Sequence, residues 1–230
     1  MPQIDVLPIE GLPEPVNARV FTGAIALSRL VDLGVDFQVL EDAVLAGHNG
    51  SQLATAQHAS TAAGTYRWHE TLASLRQSLV LQEWEAIDEK NAPRIVSPNR
   101  QISLMVATGT AQTGTKKSPS NATPKGVMTE RDVWNNRHSD QQTLDGLADL
   151  LSEPMPVTWV LLYFYSKAKN HIRVELSQPA PDGFKDGYIR VWKERIILPT
   201  LEFGSEELLL DAQPDSTPDI DFLIGDAEAS

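Results

Sequence analysis

Between residues 17 and 95 the apolar positions recur mostly at helical spacing. Phe21, Ile25, Ser28/Arg29 and Asp32 mark one set of turns, while Val20, Ala24, Leu27, Leu30 and Val31 form a broad apolar face; the pattern predicts a first helix from Asn17. A second is expected from about Asp36 to Ala46, with Phe37, Val39, Leu40, Ala43 and Val44 inward. The glycines of Gly47-His-Asn-Gly-Ser51 should stop it. The third carries the clearest period, Trp68, Leu72, Leu75 and Leu79, continuing to Trp84 and Ile87 and ending before Pro93.

Past residue 100 the period shortens. Gln101 to Thr108 reads as a strand. A short helix is expected from Thr129, and another over 140–152, where Ser139 and Gln142 form a capping box ahead of Leu144, Leu147, Leu150 and Leu151. Val157 to Ser166 is apolar on both faces, as a buried central strand should be. His171 to Ser177 alternates, with Ile172, Val174 and Leu176 on one side and His171, Arg173 and Glu175 on the other. In Tyr188 to Leu198 the apolar parity shifts between Val191 and Ile196, which predicts a bulge near Trp192. Two Asp-Gly pairs within 179–187 signal a turn. The last three strands are joined too briefly for parallel crossovers. The fold class is therefore α+β: a helical N-terminal half packed on a small, mainly antiparallel β-sheet. The segments are a proline-rich extended arm (1–16), the helical half (17–95), the sheet half (96–200) with a long polar loop at 109–126, and an acidic tail (201–230). Together they are expected to make one globular unit.

Charge sharpens this picture. The 230-residue chain carries a net charge of −12, yet residues 202–230 hold nine acids and no base, whereas 167–195 hold seven Lys or Arg against four acids. So acidic a chain is repelled by nucleic acid overall, and only the 167–195 segment argues otherwise. There is no cysteine, which removes disulfides, thiolate metal sites and cysteine nucleophiles together and fits a reducing compartment. No basic stretch followed by an apolar run opens the sequence, and the longest apolar stretch, 157–165, is about half what a bilayer-spanning helix needs. A soluble cytoplasmic protein with no membrane association is expected.

Three constellations bear on chemistry. Gly109-Thr-Ala-Gln-Thr-Gly114-Thr-Lys116 follows a strand with the glycine spacing of a phosphate loop, but the hydroxyl of Thr115 precedes the lysine, and Pro119 blocks the helix that should follow. A looser anion site would use Lys116, Lys117 and Lys125, extended by Arg173 and Arg190 of the late sheet; a solvated mobile loop is the plainer reading. The five histidines have no metal-ligand spacing, and His69-Glu70 lacks a second histidine at position 73, so neither metal nor cofactor is expected. On the late sheet Arg173 and Glu175 are expected to oppose Arg190, Trp192 and Glu194, forming a polar face that either binds anions or is a solvated ladder of ion pairs.

Leu40-Glu-Asp-Ala-Val-Leu-Ala-Gly47, Val106-Ala-Thr-Gly109 with Pro124-Lys-Gly126, and Trp192-Lys-Glu-Arg-Ile-Ile-Leu-Pro199 together resemble an uncharacterised family of bacterial hypothetical proteins associated with mobile elements and phage-defence gene clusters. The resemblance implies a bacterial cytoplasmic setting and carries no catalytic residue. Two functions follow as expectations. One is a non-catalytic binding or adaptor protein acting with protein partners through the apolar arm and the acidic tail with its embedded hydrophobes. The alternative is a nucleotide- or nucleic-acid-handling protein using loop 109–126 and the basic sheet face 171–195, which residues 202–230 would then mask.

Overall fold

The computed structural model describes residues 18–139 and 155–203. The arm, the 140–152 helix and most of the acidic tail thus lie outside the described residues. The fold is α+β: a central mixed sheet, three helices on one face, and a fourth helix with the long polar loop on the other. Its strands are β1 (Arg19–Phe21), β2 (Glu85–Glu89), β3 (Ala92–Val96), β4 (Ile102–Thr108), β5 (Val157–Ser166), β6 (His171–Pro179), β9 (Trp192–Ile197) and β10 (Leu201–Glu202). They lie in the order β1-β9-β6-β5-β4-β3-β2, with β10 beside the start of β6; β7 (Phe184–Lys185) and β8 (Tyr188–Ile189) form a separate small hairpin. β5, β6 and β9 pair antiparallel, as their short connections require. The sheet is larger and more mixed than the sequence suggests, because β4 pairs parallel with β5 and β1 parallel with β9.

The helices α1 (Gly23–Asp32), α2 (Phe37–Ser51) and α3 (Ala62–Val80) cover one face. Leu30, Leu40, Leu75 and Leu79 meet Ile95, Leu104, Trp159, Leu161 and Leu176 there, all buried. Each such aliphatic side chain contributes about 1.5–3 kcal/mol by leaving water. Opposite, Met105, Val160, Leu162 and Trp192 form a smaller core with Val133 of α4 (Val127–Asn135) and Ile189 of β8. A strand covered on both sides has no polar face, which is why Val157 to Ser166 reads as unbroken apolar sequence.

Several expectations are corrected. The first helix starts later than the pattern indicates, because residues 19–21 are the strand β1; α1 buries only Ala26 and Leu30. Most of its apolar face points to solvent, with Ile25 67% and Val31 75% exposed. The second helix runs through the glycines to Ser51, its start capped by Asp36 accepting from the Gln38 N–H. Gly47 and Gly50 are helix–helix contacts rather than breakers: a Cβ on Gly47 would sit 2.0 Å from Thr71 Oγ1 and 2.6 Å from the Arg67 carbonyl. The third helix ends at Val80. Beyond it β2 and β3 form a hairpin whose two-residue loop, Lys90-Asn91, has both residues at positive φ, the signature of a type I′ turn. Pro93 is tolerated because β4 pairs with β3 only at Ile95 and Val96, leaving β3 one neighbour at that point. The helical half therefore stops near residue 84 instead of 95.

Candidate functional site

The long polar loop and the late sheet face form one site. Leaving β4, the chain bridges Gly109 to Asn121 and crosses over β6 and β9. Residues beneath it grip its backbone at intervals. Arg173 Nη2 donates to the Ala111 carbonyl (2.6 Å), Arg195 Nη2 and Nη1 to the Thr115 and Lys117 carbonyls (3.0 Å each), and Trp192 Nε1 to the Pro119 carbonyl (2.8 Å). Buried Asn121 donates to the carbonyls of Thr123 and Gly187 and accepts from the Ile189 N–H, joining the loop to the β7–β8 hairpin. A backbone so anchored is a fixed surface, which corrects the expectation of a mobile solvated loop.

Under the loop lies an ion pair sealed from water. The side chains of Glu175 and Arg195 are 0% and 2% exposed. Arg195 Nε reaches Glu175 Oε1 at 3.0 Å and Nη2 reaches Oε2 at 2.5 Å, a bidentate fork. Ser177 Oγ donates to Oε1 and the Gly114 N–H to Oε2, both at 2.8 Å. Gly114 has φ +67°, and a Cβ there would meet Arg173 Cβ at 2.8 Å, so glycine is required twice over. In a phosphate loop this N–H would face the ligand; here it is satisfied by the protein's own carboxylate. The glycine spacing is explained by that contact.

The polar sheet face thus comes out differently from its expected form. Glu175 and Trp192 do lie on one side, but buried beneath the loop instead of solvated. Glu194 goes to the other side. The bulge expected near Trp192 is present: Gln178 pairs with Glu194 and Pro179 with Trp192, so Lys193 is the extra residue. Trp192 and Glu194 would share a face in an unbroken strand; the bulge separates them and brings Arg195 into line with Glu175. Glu194, 3% exposed, is instead gripped from the helical side by Arg19 and by Arg29 Nε at 3.0 Å, tying β1 and α1 to the sheet. Arg195, missed by sequence reasoning, organises the site. Its signal was the parity shift, which moves it to the Glu175 side once the bulge is placed at Lys193.

Of the proposed cations, Lys116, Lys117 and Arg190 stand exposed on the outer surface of the loop and hairpin, joined there by Lys185. Ser118 Oγ donates to the Arg190 carbonyl, and the Arg190 guanidinium lies 5.6 Å from the Tyr188 ring centre, a cation–π contact. Lys125 is half-buried, its N–H donating to the Gly187 carbonyl. Arg173 serves the loop from below and stacks over Phe164 at 5.1 Å. Residues 109–126 hold three lysines and no acid; residues 182–193 hold Lys185, Arg190 and Lys193 against Asp182 and Asp186.

A second polar locus borders a cavity of about 130 Å³ between the β2–β3 hairpin and α4. Arg131 donates to Glu89 and Asp132, and Arg94 Nε to Asp132 at 2.8 Å, so the arginines there are occupied by carboxylates of the same chain. Hydrogen bonding to Arg131 holds Glu89 below the usual carboxylate range, and Arg76 does the same to Asp88. Among the described residues no group of three or more metal-ligating side chains gathers, and no helix is long and apolar enough to cross a membrane. Compared with known proteins, the chain matches no family model, no curated protein and no solved structure.

Proposed function

We propose that this is a binding protein whose basic loop–hairpin face docks single-stranded nucleic acid. The observation that carries the reading is the fixed array of Lys116, Lys117, Lys185 and Arg190 on a backbone anchored from beneath by Glu175 and Arg195, with Tyr188 under the arginine. A positive surface with an aromatic ring among its charges suits an extended polyanion with stacking bases. The buried acid–base groups bond to one another and to the loop backbone, so they act as architecture. The net charge of −12 is unevenly placed along the sequence: 109–126 hold three lysines and no acid, whereas 204–230 hold eight acids and no base. The resemblance to an uncharacterised family of bacterial hypothetical proteins supports a bacterial cytoplasmic setting.

Fluorescence anisotropy of a labelled oligothymidylate tests this. Four cations on single-stranded phosphates give log K against log salt a slope of about −3. Lys116→Gln/Lys117→Gln/Arg190→Gln should weaken binding and flatten that slope by about 2. A variant that binds like the parent overturns the assignment. A protein-adaptor role is the second reading, favoured by an apolar patch on β1 and α1 that the described residues leave uncovered, where Val20, Ile25, Leu27 and Val31 are 39–75% exposed.

A further inference from the structure

The segregation of charge along the sequence points to an occupant for the basic face. We infer that residues 204–230 of the same chain lie across the loop–hairpin face as an internal competitor for the polyanion; this rests on the function proposed above. These residues carry Glu206, Glu207, Asp211, Asp215, Asp219, Asp221, Asp226 and Glu228 and no Lys or Arg. They hold the largest number of successive like charges in the chain, and loop 109–126 carries charge only of the opposite sign.

Position permits the contact. β10 runs antiparallel to β6 from Leu201 opposite Ile172 to Glu202 opposite His171, so the chain leaves the body at the β5–β6 turn. Its last described residue is firmly seated. Phe203 exchanges hydrogen bonds with Asn170 (3.0 and 3.2 Å) and stacks on the buried ring of His48 of α2 at 4.0 Å, so the root lies on the helical side and the segment that follows must round the end of the sheet to meet the loop. Loop 109–126 starts at that same end of the sheet, where the Gly109 N–H donates to the Tyr163 carbonyl three residues before the end of β5. From this root, 27 residues reach up to about 90 Å when extended. A body of this size has a radius of gyration of about 16 Å, so the whole loop–hairpin face is within reach. Two further lysines of the exit turn, Lys167 and Lys169, lie along the way.

The helical face offers a poorer seat. Residues 23–80 hold five acids against three arginines, and Arg67 among these is buried. Tethering also sets the magnitude. An attached segment has an effective concentration on the order of mM, so even an intrinsic Kd of about 0.1 mM occupies the face roughly ten times more often than it leaves it free.

Two measurements on the full chain test the inference. First, Glu206→Gln, Glu207→Gln, Asp211→Asn, Asp215→Asn, Asp219→Asn and Asp221→Asn are introduced together, leaving the body and chain length intact. Oligothymidylate should bind this variant roughly tenfold more tightly than the parent at low ionic strength, the gap narrowing at about 0.15 M salt. Second, a zero-length carbodiimide cross-linker on the parent protein, mapped by mass spectrometry, should join Lys116 or Lys117 to carboxylates of 206–221 within one molecule. Equal, measurable affinity of both proteins overturns the competitor while leaving the nucleic-acid face standing. Binding by neither overturns both. Cross-links found only between molecules also overturn it, since the occupant would then be a second copy.

Discussion

Glu175 shows how one carboxylate sets the shape of a surface it never reaches. Its two oxygens accept from Arg195, Ser177 and the Gly114 N–H, and Arg195 in turn holds two loop carbonyls. Removing one member of a buried pair strands the other. Glu175→Leu should therefore destabilise the protein by about 3–5 kcal/mol, read as a lowered urea midpoint. Adding Arg195→Met should recover part of that loss, because no charge is left unpaired, while the Gly114 amide stays unprotected in hydrogen exchange. If the double variant is no more stable than the single, the pair is not the source of the stability. At this scale the sequence was half legible. Glu175, Trp192 and the loop lysines stood out as residue types, but their grouping depended on which side of β9 each one faces.

At the scale of elements, the strands that carry the fold's centre were readable because burial on one or both faces leaves a period of two or an unbroken apolar run: β4, β5 and β6 begin and end within a residue or two of their expected limits. Elements whose logic is tertiary were not. Gly47 and Gly50 look like a stop signal locally and are in fact where α2 meets α3, and the 85–96 hairpin turns on Lys90-Asn91, a weaker turn signal than Asn-Gly. The two readings of Gly47 predict opposite signs. Helix propensity alone has Gly47→Ala stabilising by about 0.8–1.0 kcal/mol. A methyl group 2.0 Å from Thr71 Oγ1 and 2.6 Å from a backbone carbonyl must instead force the helices apart, costing about 1–3 kcal/mol or more. Thermal unfolding of that single variant decides between them.

For the whole molecule, the two faces of the sheet are set up for different company: an apolar helix side and a basic loop side. Leu27→Asp/Val31→Asp should leave oligothymidylate binding intact while removing any protein that co-purifies from the native host; retention of that protein would exclude the α1 face as its dock. The arrangement of the edge strands has a further consequence, in the order of events during synthesis. β1 is among the first described segments to be made, yet its strand neighbour among the described residues is β9, and the Arg19–Glu194 contact spans 175 residues. At about 5–20 residues per second, roughly 9–35 s separate the emergence of the two. Once α3 is complete at Val80, β5 does not begin until Val157, so the inner side of α1–α3 waits for β5, β6 and β9, strands that cover it. Closure of the central layer thus waits for β9, and a ribosome that stalls before residue 157 leaves behind α1–α3 with only the β2–β4 strands to cover their hydrophobic side, a substrate for chaperones and proteases rather than a smaller working protein.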